Sequence, residues 1–216
     1  MAVAETLTTT VSTKGQVILP KAIRQRRHWE PGTRLLVEDT PDGVLLKVAP
    51  IFALTRPEDV AGMLAYREPA KTLEEMDAAI TAEIEQRRAR GRYYIVVRYL
   101  TADDPEQFAK ARALIDGEDI FVCKTVLLET EWVLRRGYRF SRDRIIAALT
   151  AFAGLPRVIL EDPALAAKAL DWMARGMDFA DALHLARAES REAFVSFDQH
   201  FATVANSISG VKVRTP

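Results

Sequence analysis

One cysteine in 216 residues, Cys123, rules out a disulfide framework and a multi-cysteine zinc site, and it suits a reducing compartment. Histidine is nearly as scarce: His28, His184 and His200 are scattered without metal-ligand spacing, which leaves them surface or packing roles. Net charge is absent too. Thirty Lys/Arg balance thirty Asp/Glu, so neither a uniformly basic nucleic-acid coat nor an acidic tail exists. No apolar run nears the roughly 20 residues that span a bilayer. The Thr-rich start, Met1 to Val11, has no cationic segment leading into an apolar one. A cytoplasmic protein without a membrane partner is the expectation. Glycine-rich phosphate loops and nucleophile elbows are also missing. With 49% hydrophobic and 28% charged residues the chain is globular, and its length allows one large domain or two modest ones.

Three pieces follow one another. Residues 1–50 hold short β-branched runs, Thr9 to Thr13 and Val17 to Leu19, around Lys14-Gly15-Gln16. Leu35 to Glu38 and Val44 to Val48 flank the hairpin signal Pro41-Asp42-Gly43. A short helix, Lys21 to His28, is predicted after Pro20. So few residues bury little surface, and a second copy is expected to complete them. In residues 51–93, Thr72-Leu73-Glu74-Glu75 opens a helix whose Met76, Ile80 and Ile84 make one apolar stripe. It ends in the run Arg87, Arg88, Arg90, Arg92, and it reads as a segment that docks on something. Residues 94–216 alternate strand and helix. Ile95-Val96-Val97, Ile120 to Val122, Val158 to Leu160, Ala193 to Phe197 and Val211 to Val213 are the predicted strands. That rhythm predicts an α/β unit, a parallel sheet sandwiched by helices.

Charge is concentrated locally. Lys14, Lys21, Arg24, Arg26 and Arg27 fall within fourteen residues, where they form either a solvated surface or a phosphate-binding face that a dimer doubles. The string Val11-Ser12-Thr13-Lys14-Gly15-Gln16-Val17-Ile18-Leu19-Pro20-Lys21-Ala22-Ile23-Arg24, with Pro31-Gly32-Thr33 beyond it, resembles the swapped-hairpin AbrB/MazE family of transcription factors and antitoxins. The resemblance implies an intertwined dimer that binds operator DNA through Lys14, Arg24, Arg26 and Arg27.

Three acids stand at element edges in the second half. Glu129 lies in a helix among apolar residues, Asp181 in the first turn of another, and Asp198 at a strand end. Each alone is explained by capping or surface placement; together they permit a divalent metal site. Asp178 reads as a helix N-cap, and Glu131 as a residue pointing away from Glu129. The strings Arg98 to Pro105, Leu127-Leu128-Glu129 through Leu134, Asp178-Phe179-Ala180-Asp181-Ala182-Leu183-His184 and Ser196-Phe197-Asp198 resemble PIN-domain ribonucleases of the VapC toxin type. By that resemblance Glu129, Asp181 and Asp198 hold Mg²⁺ (or Mn²⁺), Ser196 supports them, RNA is the substrate, and Asp103 and Asp104 belong to a loop.

One departure stands out. The family's first strand ends in an Asp, whereas Arg92-Tyr93-Tyr94-Ile95 precede the matching stretch here. The chain is then either a silenced toxin or two polypeptides joined across an incomplete junction. The whole reads as a type II toxin–antitoxin protein in one chain: a DNA-binding domain (1–50), a helix and Arg-rich tail (51–93) and a PIN-like ribonuclease (94–216). In that reading Arg90 or Arg92 enters the acidic pocket, in cis or between protomers of a homodimer or higher oligomer. The alternative is a non-catalytic transcription regulator whose PIN-like half mediates oligomerisation.

Overall fold

A computed structural model describes residues 7–27, 29–31, 33–76, 92–188 and 192–216; of residues 92 and 93 it describes the backbone alone. The chain divides into two compact units, Met1–Pro50 and Ile51–Pro216.

In the first unit, Gly15 at φ +73° closes a tight turn in which its N–H donates to the Ser12 carbonyl at 2.9 Å. The flanking runs pair as strands only through the antiparallel bridge Val11–Val17, with a side-chain bond from Thr9 Oγ1 to the Ile18 carbonyl at 2.8 Å, instead of forming the extended strands that their β-branched residues predict. Helix α1, Lys21–Arg26, begins after Pro20 as expected, while His28 lies outside the described residues. Strands β1 (Leu35–Thr40) and β2 (Gly43–Val48) pair antiparallel, with Thr40 opposite Gly43 across a Pro41-Asp42 turn. None of the described residues in 7–50 is buried. Val11, Ile18, Val37 and Val44 are each more than half exposed. An open trough of about 650 Å³ runs between α1 and β2, lined by Leu19, Ile23, Trp29 and Leu46. A hairpin unit without a core is stable only when something covers those side chains.

The second unit contains the core. Helix α2 is the short Pro57–Val60 turn. Residues 73–76 form a helical turn opened by a capping box: Thr72 Oγ1 accepts from the Glu75 N–H, and Glu75 accepts from the Thr72 N–H at 2.8 Å. Then come α3 (Arg92–Thr101), α4 (Pro105–Gly117), β3 (Ile120–Val122) and α5 (Lys124–Trp132), which runs into a π-helical turn, Val133–Gly137. Next are α6 (Arg142–Ala153), β4 (Val158–Leu160), α7 (Pro163–Ala174), α8 (Phe179–Arg187), β5 (Phe194–Val195), α9 (Gln199–Ile208) and β6 (Val213–Arg214).

The predicted alternation is present from β3 onward, but Ile95-Val96-Val97 is helix rather than strand. Tyr94 and every residue from Val96 to Thr101 are buried and Ile95 is half-buried, so this stretch of α3 presents no solvent-exposed face. A helix without a polar face shows no 3.6-residue period, and its β-branched run then mimics a strand. Consequently the expected continuous sheet is two separate parallel pairs, β3–β4 and β5–β6. Among the described residues of 92–216 the exposed large apolar side chains are Phe121, Ile159 and Val195 on these strands and Phe197 two positions after β5.

Candidate acidic site and nucleic-acid surface

Helix N-termini position most of the acids of interest. Asp178 caps α8 by accepting from the Ala180 N–H at 2.9 Å, as its sequence position predicts. Asp198 caps α9, accepting from Phe201 N–H at 2.8 Å, and Ser196 Oγ accepts from the Asp198 N–H at 3.1 Å. Ser196 therefore shapes the turn that presents Asp198. Asp181 stands half-buried one turn into α8. Burial raises its pKa, and the nearby Asp178 and Asp198 carboxylates raise it further, against an opposing contribution from His184. The structure thus brings Asp181, Asp178 and Asp198 within electrostatic reach of one another.

Glu129 is half-buried on α5. Among the described residues no three His, Cys, Asp or Glu side chains stand together in a way that could hold a metal ion. The expected convergence of Glu129, Asp181 and Asp198 on one cation is therefore not present as a three-ligand group. Asp198 uses Oδ1 to cap its helix, and the residues expected as the first strand, Ile95 to Val97, lie in a helix that contains no carboxylate.

The buried carboxylate of this region is Glu131, not Glu129. Arg135 Nε meets Glu131 Oε1 at 2.7 Å, and its Nη2 lies 3.3 Å from both Glu131 Oε2 and Asp178 Oδ2. Burial pushes the Glu131 pKa up, Arg135 pulls it back, and the net displacement is upward. Position i+4 on a helix was the available sequence signal for this pair. The guanidinium beside Glu131 and Asp178 belongs to Arg135 of the π-helical turn after α5. Arg90 lies outside the described residues, as does the side chain of Arg92.

A second buried charge cluster escaped sequence reading entirely. Arg98, 3% exposed, donates to Asp103 at 2.5 Å, to Gln107 Oε1 at 3.0 Å and to the Lys71 carbonyl at 2.6 Å. Tyr138 donates its hydroxyl to Asp103 at 2.7 Å, and Thr101 Oγ1 lies 2.8 Å from the other carboxylate oxygen. Burial raises the Asp103 pKa, but hydrogen bonds from Arg98, Tyr138 and Thr101 outweigh it and hold the carboxyl below its usual value. Asp104 caps α4 through the Gln107 N–H. Asp103 and Asp104 do form the α3–α4 loop, yet Asp103 is a fully enclosed ion-pair partner.

In the first unit Lys14 sits at the hairpin tip beside Gly15, and Arg24, Arg26 and Arg27 are exposed on and just after α1. Arg24 Nε donates to the Leu19 carbonyl at 3.1 Å, which holds its guanidinium against the segment that leads into the helix. Cations on a turn tip and on one short helix present charge without competing acids on α1 itself.

The protein-family model "PIN domain" matches residues 95–207, more than half of the chain. The model "Antidote-toxin recognition MazE, bacterial antitoxin" matches residues 8–51. No curated protein and no solved structure matches the chain. No helix among the described residues is long and apolar enough to cross a membrane. With the α/β unit and the N-terminal hairpins in the same order as the two matches, the chain belongs to the PIN-domain family and has a MazE/AbrB-type antitoxin domain fused ahead of it.

Proposed function

We propose that this chain is a cytoplasmic toxin–antitoxin pair merged into one polypeptide. Residues 1–50 bind operator DNA as a dimer and repress transcription. Residues 51–93 are the antitoxin's toxin-binding segment, and residues 94–216 are a PIN unit of endoribonuclease type whose cleavage of RNA is held near background. One observation carries the reading: the segment that follows the MazE-type domain is packed on the PIN unit of its own chain. Phe52, Val60, Leu64 and Met76 are buried there.

For the DNA-binding half, apolar side chains left uncovered from Val11 to Val48 support a second copy as the partner, and the cations around it support phosphate binding. Neutralising phosphates releases counterions, so affinity falls steeply with salt. Lys14→Ala or Arg24→Ala is expected to weaken binding to all DNA sequences alike. Each is also expected to reduce the slope of log affinity against log salt by about 1 for every phosphate left without its cation. Titration of a labelled operator fragment at several salt concentrations measures this. An unchanged slope means that those residues do not neutralise phosphates.

For the PIN half, Glu129, Asp181 and Asp198 are the acids proposed to face Mg²⁺ or Mn²⁺, with Ser196 fixing the turn at Asp198. The donor set is incomplete, so no catalytic step is assigned to it. Arg90 and Arg92 are the proposed cationic tail. The full chain, incubated with structured RNA and Mg²⁺ or Mn²⁺, is expected to cleave no faster than its Asp181→Asn variant. Cleavage clearly above that variant overturns the silent state. The alternative of a non-catalytic regulator with an oligomerising PIN-like unit is favoured by the bare Phe121, Ile159, Val195 and Phe197. It requires Phe121→Glu to change the oligomeric state.

A further inference from the structure

Residues 52–66 dock on two features of the PIN unit, the end of α3 and the end of α6. The end of α3 is the clearest. Its last carbonyls have no partner within the helix, as at any helix terminus. Here the N–H groups of Gly62, Leu64 and Tyr66 donate to the carbonyls of Tyr99, Leu100 and Thr101 at 2.7, 2.8 and 2.9 Å. Gly62 takes φ +69° to make this approach, and a Cβ there would lie 3.2 Å from Ala102 Cβ.

The second feature is a notch at Gly154, the residue that ends α6. A Cβ on Gly154 would fall 2.0 Å from the Ala53 carbonyl oxygen. Thr55 N–H donates to the Gly154 carbonyl at 3.0 Å, and Thr55 Oγ1 donates to the Ala151 carbonyl at 2.6 Å. Yet Gly154 itself adopts φ −88°, ψ −3°, which any residue tolerates. Its lack of a side chain serves the docked segment, not its own backbone.

Side chains complete the seat. Val60 and Leu64 are 0% and 1% exposed, and Tyr66 packs edge-on against Tyr138 at 4.7 Å between ring centroids. Arg144 donates to the Leu64 carbonyl at 3.3 Å.

We infer that this surface, formed by the ends of α3 and α6 and the Tyr138 ring, is an interaction site reserved for the chain's own residues 52–66. The segment is a permanent part of the PIN unit, not an inhibitor that leaves it. Without the segment, three helix-terminal carbonyls lose their donors and an apolar seat opens to water, each a cost to the fold. An antitoxin from another operon therefore finds the site filled, and loss of the DNA-binding unit alone does not free it. This rests on the toxin–antitoxin reading only for its biological meaning; its tests are structural and do not depend on DNA binding or RNA cleavage.

Two experiments on the full chain decide it. In the first, a recognition sequence for a site-specific protease is inserted between Met76 and Arg92 and then cleaved. The two fragments are expected to stay together through native gel filtration at nanomolar concentration and to melt in one transition. A released C-terminal fragment that remains monodisperse with an unchanged Tm overturns the inference. In the second, Gly154→Ala blocks the notch without straining α6. It is expected to lower the Tm of the whole Ile51–Pro216 unit in a single transition, with faster hydrogen exchange throughout it. If only the amides around Gly62, Leu64 and Tyr66 lose protection while the Tm holds, the segment is a removable ligand and the inference fails.

Discussion

Replacing Arg98 by methionine is expected to lower the Tm of the Ile51–Pro216 unit by roughly 6–20 °C. Arg98 and Asp103 are enclosed together, 3% and 0% exposed at their side chains. Removing one partner of a buried pair costs about 3–5 kcal/mol, because the other charge stays desolvated and alone. For a unit of this size each kcal/mol moves the Tm by roughly 2–4 °C. Methionine keeps most of the volume, so the loss reports the charge and the donors to Gln107 and the Lys71 carbonyl. Differential scanning calorimetry measures it, and a shift of only a degree or two refutes the assignment.

The same pair fixes a pH dependence. The folded Asp103 carboxyl titrates below its unfolded value, which is about 4. Its contribution is therefore fully present above that pH and is lost as pH falls from about 4 through the lower folded value. Asp103→Asn is expected to flatten this acid limb of the Tm profile while leaving the slope near neutrality unchanged. Tyr138, whose phenol burial and the Asp103 carboxylate push well up, keeps its proton across this range and goes on donating.

The second large effect concerns the N-terminal unit. If residues 1–50 dimerise on operator DNA as proposed, Ile18→Asp is expected to leave the protein monomeric and to weaken operator binding by about a hundredfold or more. In a single chain Ile18 is 78% exposed, so an aspartate there would meet only water and cost almost nothing. If a second copy covers it, an unpaired carboxylate becomes buried, a penalty of several kcal/mol. Each 1.4 kcal/mol is tenfold in affinity. Sedimentation velocity and operator titration read the two outcomes separately. A variant that stays dimeric and binds normally removes Ile18 from the interface.

Much of the architecture was legible in the sequence because its signals are local. Pro41-Asp42-Gly43 marks the β1–β2 turn, and Pro163 after Asp162 marks the start of α7. Arg142–Ala153 and Val158–Leu160 occupy the residues that their apolar spacing assigns. The capping box at Thr72 was readable from the Glu three positions later. The acids were legible as residues but not as a site. Sequence order places Glu129, Asp181 and Asp198 at element edges, and distance between carboxylates is not a property of order.

What the sequence by itself determined is the pair of domain types, their order and most element boundaries, since turn chemistry, capping and apolar period act over a few residues. Only the tertiary structure decided that Ile95 to Val97 are helical, that Glu131 is the enclosed acid beside Arg135, and that Arg98 closes on Asp103 and Lys71. It also decided why position 154 has no side chain. These depend on which groups are cut off from water and on what stands opposite them, and burial is set by residues far apart in the chain.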